Sequence, residues 1–264
     1  MHLILAVGCV LTIVPFVYMI SASFKTNSEI YSVPLTWIPR NAIADNYVRL
    51  VTELPFVRQY VNSSFLAILE TFLLLFLCSL GGYGFAKYEF RLKRPMFLFL
   101  LATMMIPGQL SLVPLFLIVN SFGWINTYWA IIVPGMISAF GVFFMRQVMV
   151  GIPNEILDAA RVDGASEFGI YRRIAIPSSG AGLAIYGVLA FLGSWNSFLW
   201  PLIVLRTPEM LTAPVAIASL VGLYKVEYGM IMAGATLSII PVIVLFLAGQ
   251  KYFVAGILSG AVKG

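Results

Sequence analysis

The sequence predicts an all-α integral membrane protein, one transmembrane domain over residues 1–264 with six transmembrane helices. Its residues are 61% hydrophobic and 10% charged, whereas soluble domains average roughly 25% charged residues. Long apolar stretches recur along the chain, and a helix of ~20 apolar residues crosses ~30 Å of hydrocarbon. Lipid would cover the apolar surface that such a chain could not bury in water, so the composition argues against a soluble protein.

Six apolar stretches are long enough to be transmembrane helices. They run over about residues 3–22, 62–86, 95–119, 127–148, 178–205 and 229–249. Prolines lie inside or near the ends of several of them, namely Pro15, Pro107, Pro114, Pro134 and Pro241. Proline frees backbone carbonyls that must find other partners, so broken helices along a transport path and ordinary kinks in a packed bundle both remain open.

The distribution of Lys and Arg predicts the orientation of the chain. Ten of the 16 Lys and Arg residues lie in 87–94, in 146–177 and in the tail from residue 250. We therefore expect both termini, the short loop 87–94 and the loop of about 149–177 to face the cytoplasm. The extracytoplasmic loops are expected over about 23–61 and 206–228.

The sequence has no residue pattern for catalysis, metal binding or nucleic-acid binding. Cys9 and Cys78 lie inside apolar stretches, without metal-ligand spacing or a disulfide framework. A phosphate loop of the form GxxxxGK[ST] does not occur, and the basic residues form no stripe for nucleic acid. We expect no bound metal or cofactor, and no enzymatic activity, in this chain.

Glu70 is the clearest charged residue at membrane depth. An acid near the centre of a transmembrane helix costs roughly 2.5–3.5 kcal/mol on insertion scales, so it faces the protein interior, a partner or water. It therefore lines a path, pairs with a partner subunit or makes a structural hydrogen bond. In the fifth stretch, Ser194, Trp195, Asn196 and Ser197 place aromatic and amide groups side by side. They suit a sugar in a path, and they equally suit helix packing or the aromatic interface belt.

Residues 153–177 are unusually charged for this apolar chain, and they predict a helix–turn–helix. Asn154 can cap the first helix, and Glu155 lies in its first turn, where the helix dipole favours an acid. Asp163 and Gly164 form a turn pair, in which glycine accepts a positive φ angle and ends the helix.

The second helix of this segment begins at Ser166 and Glu167. In the first helix, Ile156, Ala159 and Ala160 share one face, and the two alanines allow another surface to come close. Acidic and basic residues nearly balance, whereas a helix lying on anionic lipid would be rich in Lys and Arg. A cytoplasmic docking element and a plain solvated loop both fit these residues.

The same segment resembles the EAA loop of bacterial ATP-binding-cassette (ABC) importer permeases. That pattern is Glu-Ala-Ala, three residues, Gly, nine residues, Ile, one residue and Leu-Pro. This chain has Asp158-Ala159-Ala160, three residues, Gly164, nine residues, Ile174, one residue and Ile176-Pro177. In that family the loop is a coupling helix seated in a cleft of a cytoplasmic ATPase. The resemblance implies this role for Glu155, Asp158, Ala159, Ala160, Asp163, Gly164, Ala165, Ser166 and Phe168.

Most of the chain resembles the MalG-type subunit of carbohydrate importers. The matching stretches are IPGQLSLVPLF (106–116), GWINTYWAIIVPG (123–135), GSWNSFLWPLIV (193–204) and QKYFVAGILSGAVKG (250–264). The resemblance implies a type I ABC importer permease fold with cytoplasmic coupling helices, an outer loop 206–228 that contacts a binding protein, and a C-terminal tail at the ATPase. The tail residues are Gly260, Ala261, Val262, Lys263 and Gly264.

The resemblance also implies an assembly in the bacterial or archaeal cytoplasmic membrane. Its other members are a second, homologous permease subunit in a heterodimer, two copies of a cytoplasmic ABC ATPase that binds ATP and Mg, and an extracytoplasmic solute-binding protein. This chain would form half of the path for a sugar or sugar derivative, by alternating access. Importers of glycerol-3-phosphate or a polyamine, and a stand-alone secondary carrier, remain alternatives.

Overall fold

In the computed structural model the described backbone covers residues 2–222 and 226–261, and the described side chains cover 2–222 and 226–250. The helices are α1 (His2–Ser23), α2 (Asn27–Ile30), α3 (Asp45–Thr52), α4 (Phe56–Lys87), α5 (Lys93–Thr103), α6 (Leu112–Ser121), α7 (Trp129–Gly135), α8 (Ala139–Val150), α9 (Asn154–Val162), α10 (Glu167–Ile170), α11 (Ile176–Ser178), α12 (Gly180–Trp195), α13 (Leu199–Val204), α14 (Ala213–Ser219) and α15 (Tyr228–Ala261). These residues form no β-strand, and an isolated bridge joins Val221 and Val226. The predicted all-α class is confirmed.

Four helical stretches in the described residues are long and apolar enough to cross a membrane. They are His2–Ser23, Phe56–Lys87, Gly180–Val204 and Tyr228–Gln250. Each overlaps one of the predicted spans. Two bent helix pairs bring the number of candidate spans to six, if each pair counts as one.

The sequence suggested that the stretches 95–119 and 127–148 are each one continuous helix. The structure shows that both are broken. The first is broken between α5 and Gly108–Ser121, with a bend of 93°, and the second between α7 and α8, with a bend of 40°. Pro107 precedes the first 3₁₀ turn after the break, and Pro134 lies within α7. Proline lacks the N–H that would continue the helical hydrogen-bond ladder, so each break lies near a residue that weakens the helix.

Residues 1–63 and 201–244 form one compact unit, within which the described side chains build an apolar core. Leu50, Phe56, Ala213, Met230 and Ala233 are buried there. These residues come from α3, the start of α4, α14 and α15. The core therefore holds the two predicted outer loops against the ends of two long helices.

Three buried polar side chains near the start of α4 bind the backbone of residues 208–213. The amide groups of Gln59 and Asn62 donate hydrogen bonds of 2.8–3.0 Å to carbonyls of this segment. The Ser63 hydroxyl accepts a bond of 2.8 Å from the Ala213 N–H. The segment has no regular secondary structure of its own before α14, so these side chains satisfy its backbone.

Residues 64–200 and 245–264 form the second compact unit. Its buried cluster consists of Cys78, Tyr83, Val142, Met145, Met149, Ile152, Leu157, Ile170, Tyr171, Ala175 and Tyr186. The cluster includes Leu157 on α9 and Tyr186 on α12. One continuous apolar core therefore joins the charged segment 153–177 to the long helices of this unit.

Candidate functional site

The charged segment, residues 153–177, folds as the predicted helix–turn–helix, but Asn154 does not cap it. Pro153 occupies the N-cap position with a φ angle of −59° and makes no side-chain cap. Asn154 is the first helical residue, and its Oδ1 accepts a hydrogen bond of 2.9 Å from Lys87 Nζ. The same ammonium group donates a 2.5 Å bond to the Ile152 carbonyl. The Asn154 side-chain oxygen, which was expected to cap α9, therefore accepts a hydrogen bond from Lys87 instead.

The predicted turn between the two helices is confirmed. Gly164 has a φ angle of +77°, and a Cβ atom placed on it would meet nothing within 4 Å. The next N–H, of Ala165, donates a 3.0 Å bond to the Ala160 carbonyl and closes the end of α9. Ser166 Oγ then accepts a 3.2 Å bond from the Gly169 N–H and caps α10. The backbone angle of this turn, and not a lack of space, favours glycine here.

Arg161 ties the two helices of the charged segment together. Its guanidinium donates to Asp158 at 2.6 Å and to Glu167 at 2.8 Å. Tyr88, which lies outside the segment, donates a 2.5 Å bond to the same Glu167 carboxylate. These bonds from Arg161 and Tyr88 lower the pKa of Glu167 below its ordinary value. Three of the seven charged side chains of the segment thus bond to one another, which fixes its two helices relative to each other.

Apolar side chains are left uncovered on the outside of this braced segment. Val162 is 89% exposed, Phe168 57% and Ile156 50%, whereas Leu157 is buried in the core. Of the residues to which the resemblance gives a coupling role, Ala160 is half-buried. The exposed ones are Glu155, Asp158, Ala159, Asp163, Gly164, Ala165, Ser166 and Phe168. These exposed apolar side chains are available for contact with another protein.

A cavity of about 400 Å³ lies in the second unit, and Glu70 is its charged lining residue. The Glu70 carboxylate accepts a hydrogen bond from Ser194 Oγ. Aromatic side chains of Phe140, Tyr186 and Trp200 form part of the wall. The full lining is Glu70, Thr71, Leu74, Ile131, Pro134, Gly135, Phe140, Tyr186, Leu189, Ala190, Gly193, Ser194, Ser197 and Trp200.

The structure separates the four residues that the sequence grouped in the fifth predicted span. Ser194 and Ser197 line the cavity with Glu70. Trp195 is buried and stacks on Phe191, with ring centroids 5.9 Å apart. Asn196 is exposed, and its side chain donates to the Leu192 carbonyl at 2.9 Å. α12 ends at Trp195, so Asn196 and Ser197 lie beyond the helix, and the four side chains do not share one helical face.

Sequence reasoning missed several residues of this region. Lys87 and Tyr88 were seen only as parts of a basic loop, although they hold the charged segment. The aromatic walls at Tyr186 and Trp200 were not singled out. No local pattern marks such residues, because their roles depend on which helices lie side by side.

The C-terminal tail lies mostly outside the described residues. Gly260 and Ala261 fall in the last turn of α15, but side chains from 251 onward and all of Val262, Lys263 and Gly264 are not described. Their proposed contact with an ATPase stays a prediction. In the described part of the chain, no group of three His, Cys, Asp or Glu residues could hold a metal ion.

Comparison with known proteins places most of the chain in a group of membrane transport components. Residues 78–259 match the family described as "Binding-protein-dependent transport system inner membrane component". The chain is 39% identical over 253 residues to the arabinooligosaccharides transport system permease protein AraQ of Bacillus subtilis, which covers 95% of this chain and 90% of that protein. It is 35% identical over 260 residues to the lactose transport system permease protein LacG of Rhizobium radiobacter, covering 98% and 94%.

A solved structure shares the fold of most of the chain. It is a crystal structure of a bacterial ABC transporter involved in the import of the acidic polysaccharide alginate. The match has a TM-score of 0.84 at 23% identity and covers 96% of this chain and 94% of the other.

Proposed function

This chain belongs to the inner membrane components of binding-protein-dependent transport systems, and on that basis we propose that it forms half of the translocation path for a sugar. The predicted resemblance to carbohydrate-class ABC importer permeases is confirmed. The chain is a multi-pass membrane protein and a transport component. In the proposed assembly it pairs with a second, homologous permease, two copies of a cytoplasmic ATPase and a solute-binding protein.

The braced charged segment carries this proposal. Arg161 and Gly164 give it a fixed shape, and Leu157 seats it in the core of the second unit. Its outer surface exposes Ile156, Val162 and Phe168. A rigid element with an uncovered apolar surface can pass a movement from a docked protein to the membrane helices, which a solvated loop could not do.

The proposed mechanism is alternating access. ATP binds, with Mg, to the partner ATPases, and their closure moves the charged segment as a rigid body. The path then opens outward, receives the sugar from the binding protein, and opens inward after hydrolysis. In this arrangement both termini and the charged segment lie in the cytoplasm, and residues 206–228 contact the binding protein.

The chemistry of the Glu70 cavity favours a neutral sugar over a phosphate ester. Hydroxyl groups of Ser194 and Ser197 can bond to sugar hydroxyls, and Trp200 offers an aromatic face. The lining includes the carboxyl group of Glu70 and neither Lys nor Arg. Phosphate sites depend on such cations, so a glycerol-3-phosphate importer is the weaker alternative.

The docking step is tested by two substitutions at one position. Gly164→Ala and Gly164→Arg impose the same backbone strain, since each places a Cβ atom at a φ angle of +77°, and that atom meets no described atom within 4 Å. Only the arginine extends far enough to obstruct a docked ATPase. Membranes that contain the chain, its partner permease and the ATPase are assayed for ATPase co-purification and for hydrolysis stimulated by loaded binding protein.

We expect Gly164→Ala to keep most of the stimulated hydrolysis and Gly164→Arg to abolish it. Uptake of a sugar panel that includes arabinooligosaccharides and lactose then identifies the substrate. If the ATPase does not associate with the wild-type chain, or if both variants behave like wild type, the docking proposal is wrong and a stand-alone carrier becomes the better explanation.

A further inference from the structure

Three tyrosines lie between the charged segment and the end of α4. Tyr83 belongs to α4, Tyr88 follows it, and Tyr171 belongs to the charged segment; together they are called the tyrosine cluster. The ring centroid of Tyr83 lies 5.6 Å from that of Tyr88 and 5.5 Å from that of Tyr171. Aromatic rings at these distances are in direct contact. The charged segment is therefore packed against α4 through this cluster.

The Tyr171 hydroxyl also bonds to α4, at Ser79. The two hydroxyl oxygens lie 2.7 Å apart, and Tyr171 and Ser79 are 4% and 1% exposed. Ser79 Oγ donates its own proton to the Phe76 carbonyl at 3.0 Å. Since a serine hydroxyl has a single proton, Tyr171 is the donor in the bond between them. The contact is thus one directed hydrogen bond in a buried site.

This bond lies where the helix of the charged segment changes its geometry. Tyr171–Ala175 is a π-helical turn between α10 and α11. Such turns are rare and often occur at functional sites, because they interrupt the regular α-helical ladder. The bond between Tyr171 and Ser79 therefore attaches the charged segment to α4 at the first residue of the π-helical turn.

α4 runs without a break from Ser79 back to Glu70. The nine intervening steps correspond to about 14 Å along the helix axis. Glu70 lines the cavity of the same unit. A displacement of Tyr171 that is passed to Ser79 therefore shifts the part of α4 that borders the cavity.

We propose that Tyr171 and Ser79 are positioning residues that carry the movement of the charged segment to α4 and so to the cavity. The inference rests on the proposed function, since a docked ATPase supplies the movement. The hydrogen bond determines how much ATP is used for each imported sugar. It contributes little to assembly, because Leu157 and the aromatic contacts of the tyrosine cluster already hold the segment in place.

Tyr171→Phe and Tyr83→Phe form a matched test. Each removes one hydroxyl group from the tyrosine cluster, but the Tyr83 hydroxyl lies beside Tyr88, and the bond to Ser79 comes from Tyr171. The complete complex with its ATPase, partner permease and binding protein is placed in liposomes, and ATP hydrolysed per sugar imported is measured. We expect Tyr171→Phe to raise this ratio roughly two- to tenfold, the factor that corresponds to one net hydrogen bond between neutral groups. Tyr83→Phe should leave it unchanged.

A second variant checks that the effect comes from this one bond. Ser79→Ala should raise the ratio as Tyr171→Phe does, and the double variant should add nothing, because both remove the same interaction. The inference is overturned if the two phenylalanine variants behave alike, or if hydrolysis and import fall in proportion, as a loss of assembled complex would produce. A wild-type complex without stimulated hydrolysis would instead overturn the proposed function, and the inference with it.

Discussion

The hydroxyl of Ser194 on α12 donates a hydrogen bond to the carboxylate of Glu70 on α4. α7 approaches the same carboxylate closely, since a Cβ atom placed on Gly135 would lie 3.0 Å from Glu70 Cδ. An acid at membrane depth requires polar partners within the protein, because hydrocarbon cannot hydrate it. Three helices thus meet at one carboxyl group on the cavity wall.

Ser194→Ala should destabilise the chain more than Ser197→Ala does. Both serines line the cavity, but the described bond to Glu70 comes from Ser194. Loss of a hydrogen bond to a buried acid lowers the free energy of unfolding by about 1–2 kcal/mol. Thermal unfolding of the detergent-solubilised complex measures the difference, and equal shifts for the two variants would contradict the assigned bond.

A pair of glycines on α4 should respond oppositely to alanine. A Cβ atom on Gly82 would lie 2.7–2.8 Å from backbone atoms of Met145 and Arg146 on α8, whereas Gly84 has nothing within 4 Å. Gly82→Ala should therefore push the two helices apart and cost about 1–3 kcal/mol. Gly84→Ala should stabilise the helix by up to about 1 kcal/mol.

Thermal unfolding of the two alanine variants in the same detergent measures this contrast. The Gly84 variant controls for the change in helix propensity, which is the same in both. If Gly82→Ala proves as stable as Gly84→Ala, α4 and α8 do not approach each other as closely as the structure shows.

The sequence predicted the membrane spans better than their continuity. Apolar length alone located the spans that contain α1, α4, α12 and α15, because hydrocarbon thickness sets that length. It could not show that the stretch 95–119 bends by 93°. Pro107 marked a weak point there, but a proline in an apolar stretch is compatible with a kink, a break or a straight end.

The site was predicted where its chemistry is local in the sequence. The turn at Gly164 follows from a glycine after a helical pattern, and its positive φ angle is present. The pairing of Glu70 with Ser194 spans 124 positions and depends on the packing of two helices, which no local pattern encodes. At Asn154 a local prediction was wrong for the same reason. Its side-chain oxygen bonds to the distant Lys87 and does not form the local cap that was expected.

The attachment of α10 should weaken in acid. Arg161 and Tyr88 donate to Glu167 and hold its pKa below the ordinary value, and Tyr83 is the further titratable group near it. A lowered pKa in the folded state stabilises the fold fully above the ordinary glutamate pKa of about 4.3, and this stabilisation is lost as the pH falls through the lowered value.

Unfolding temperatures measured between neutral pH and about pH 3 test the role of Glu167, since that interval includes the ordinary glutamate pKa. The wild type should lose more stability over the acidic part of this interval than Glu167→Gln, which has no proton to gain there. Parallel curves for the two proteins would show that Glu167 does not hold α10 through its charge.

Asn62 should control the mobility of the outer segment 208–213. Its amide donates to the carbonyls of Glu209 and Leu211 at 2.8 and 3.0 Å. Asn62→Leu keeps the side-chain size but leaves both carbonyls without this donor, which costs about 1–3 kcal/mol at a buried site. Backbone amides in this segment should then exchange their hydrogens about 5- to 100-fold faster, because local opening becomes easier.

Asn46→Leu is the matched control for this experiment. The buried Asn46 amide also donates two hydrogen bonds, to the carbonyls of Ser23 and Lys25, both at 2.8 Å. Its loss should accelerate exchange around residues 23–25 and leave 208–213 protected. Hydrogen exchange followed by mass spectrometry resolves the two segments. Faster exchange in 208–213 for both variants would mean that the segment responds to a loss of stability of the whole unit. The hydrogen bonds of Asn62 would then have no specific effect on the segment.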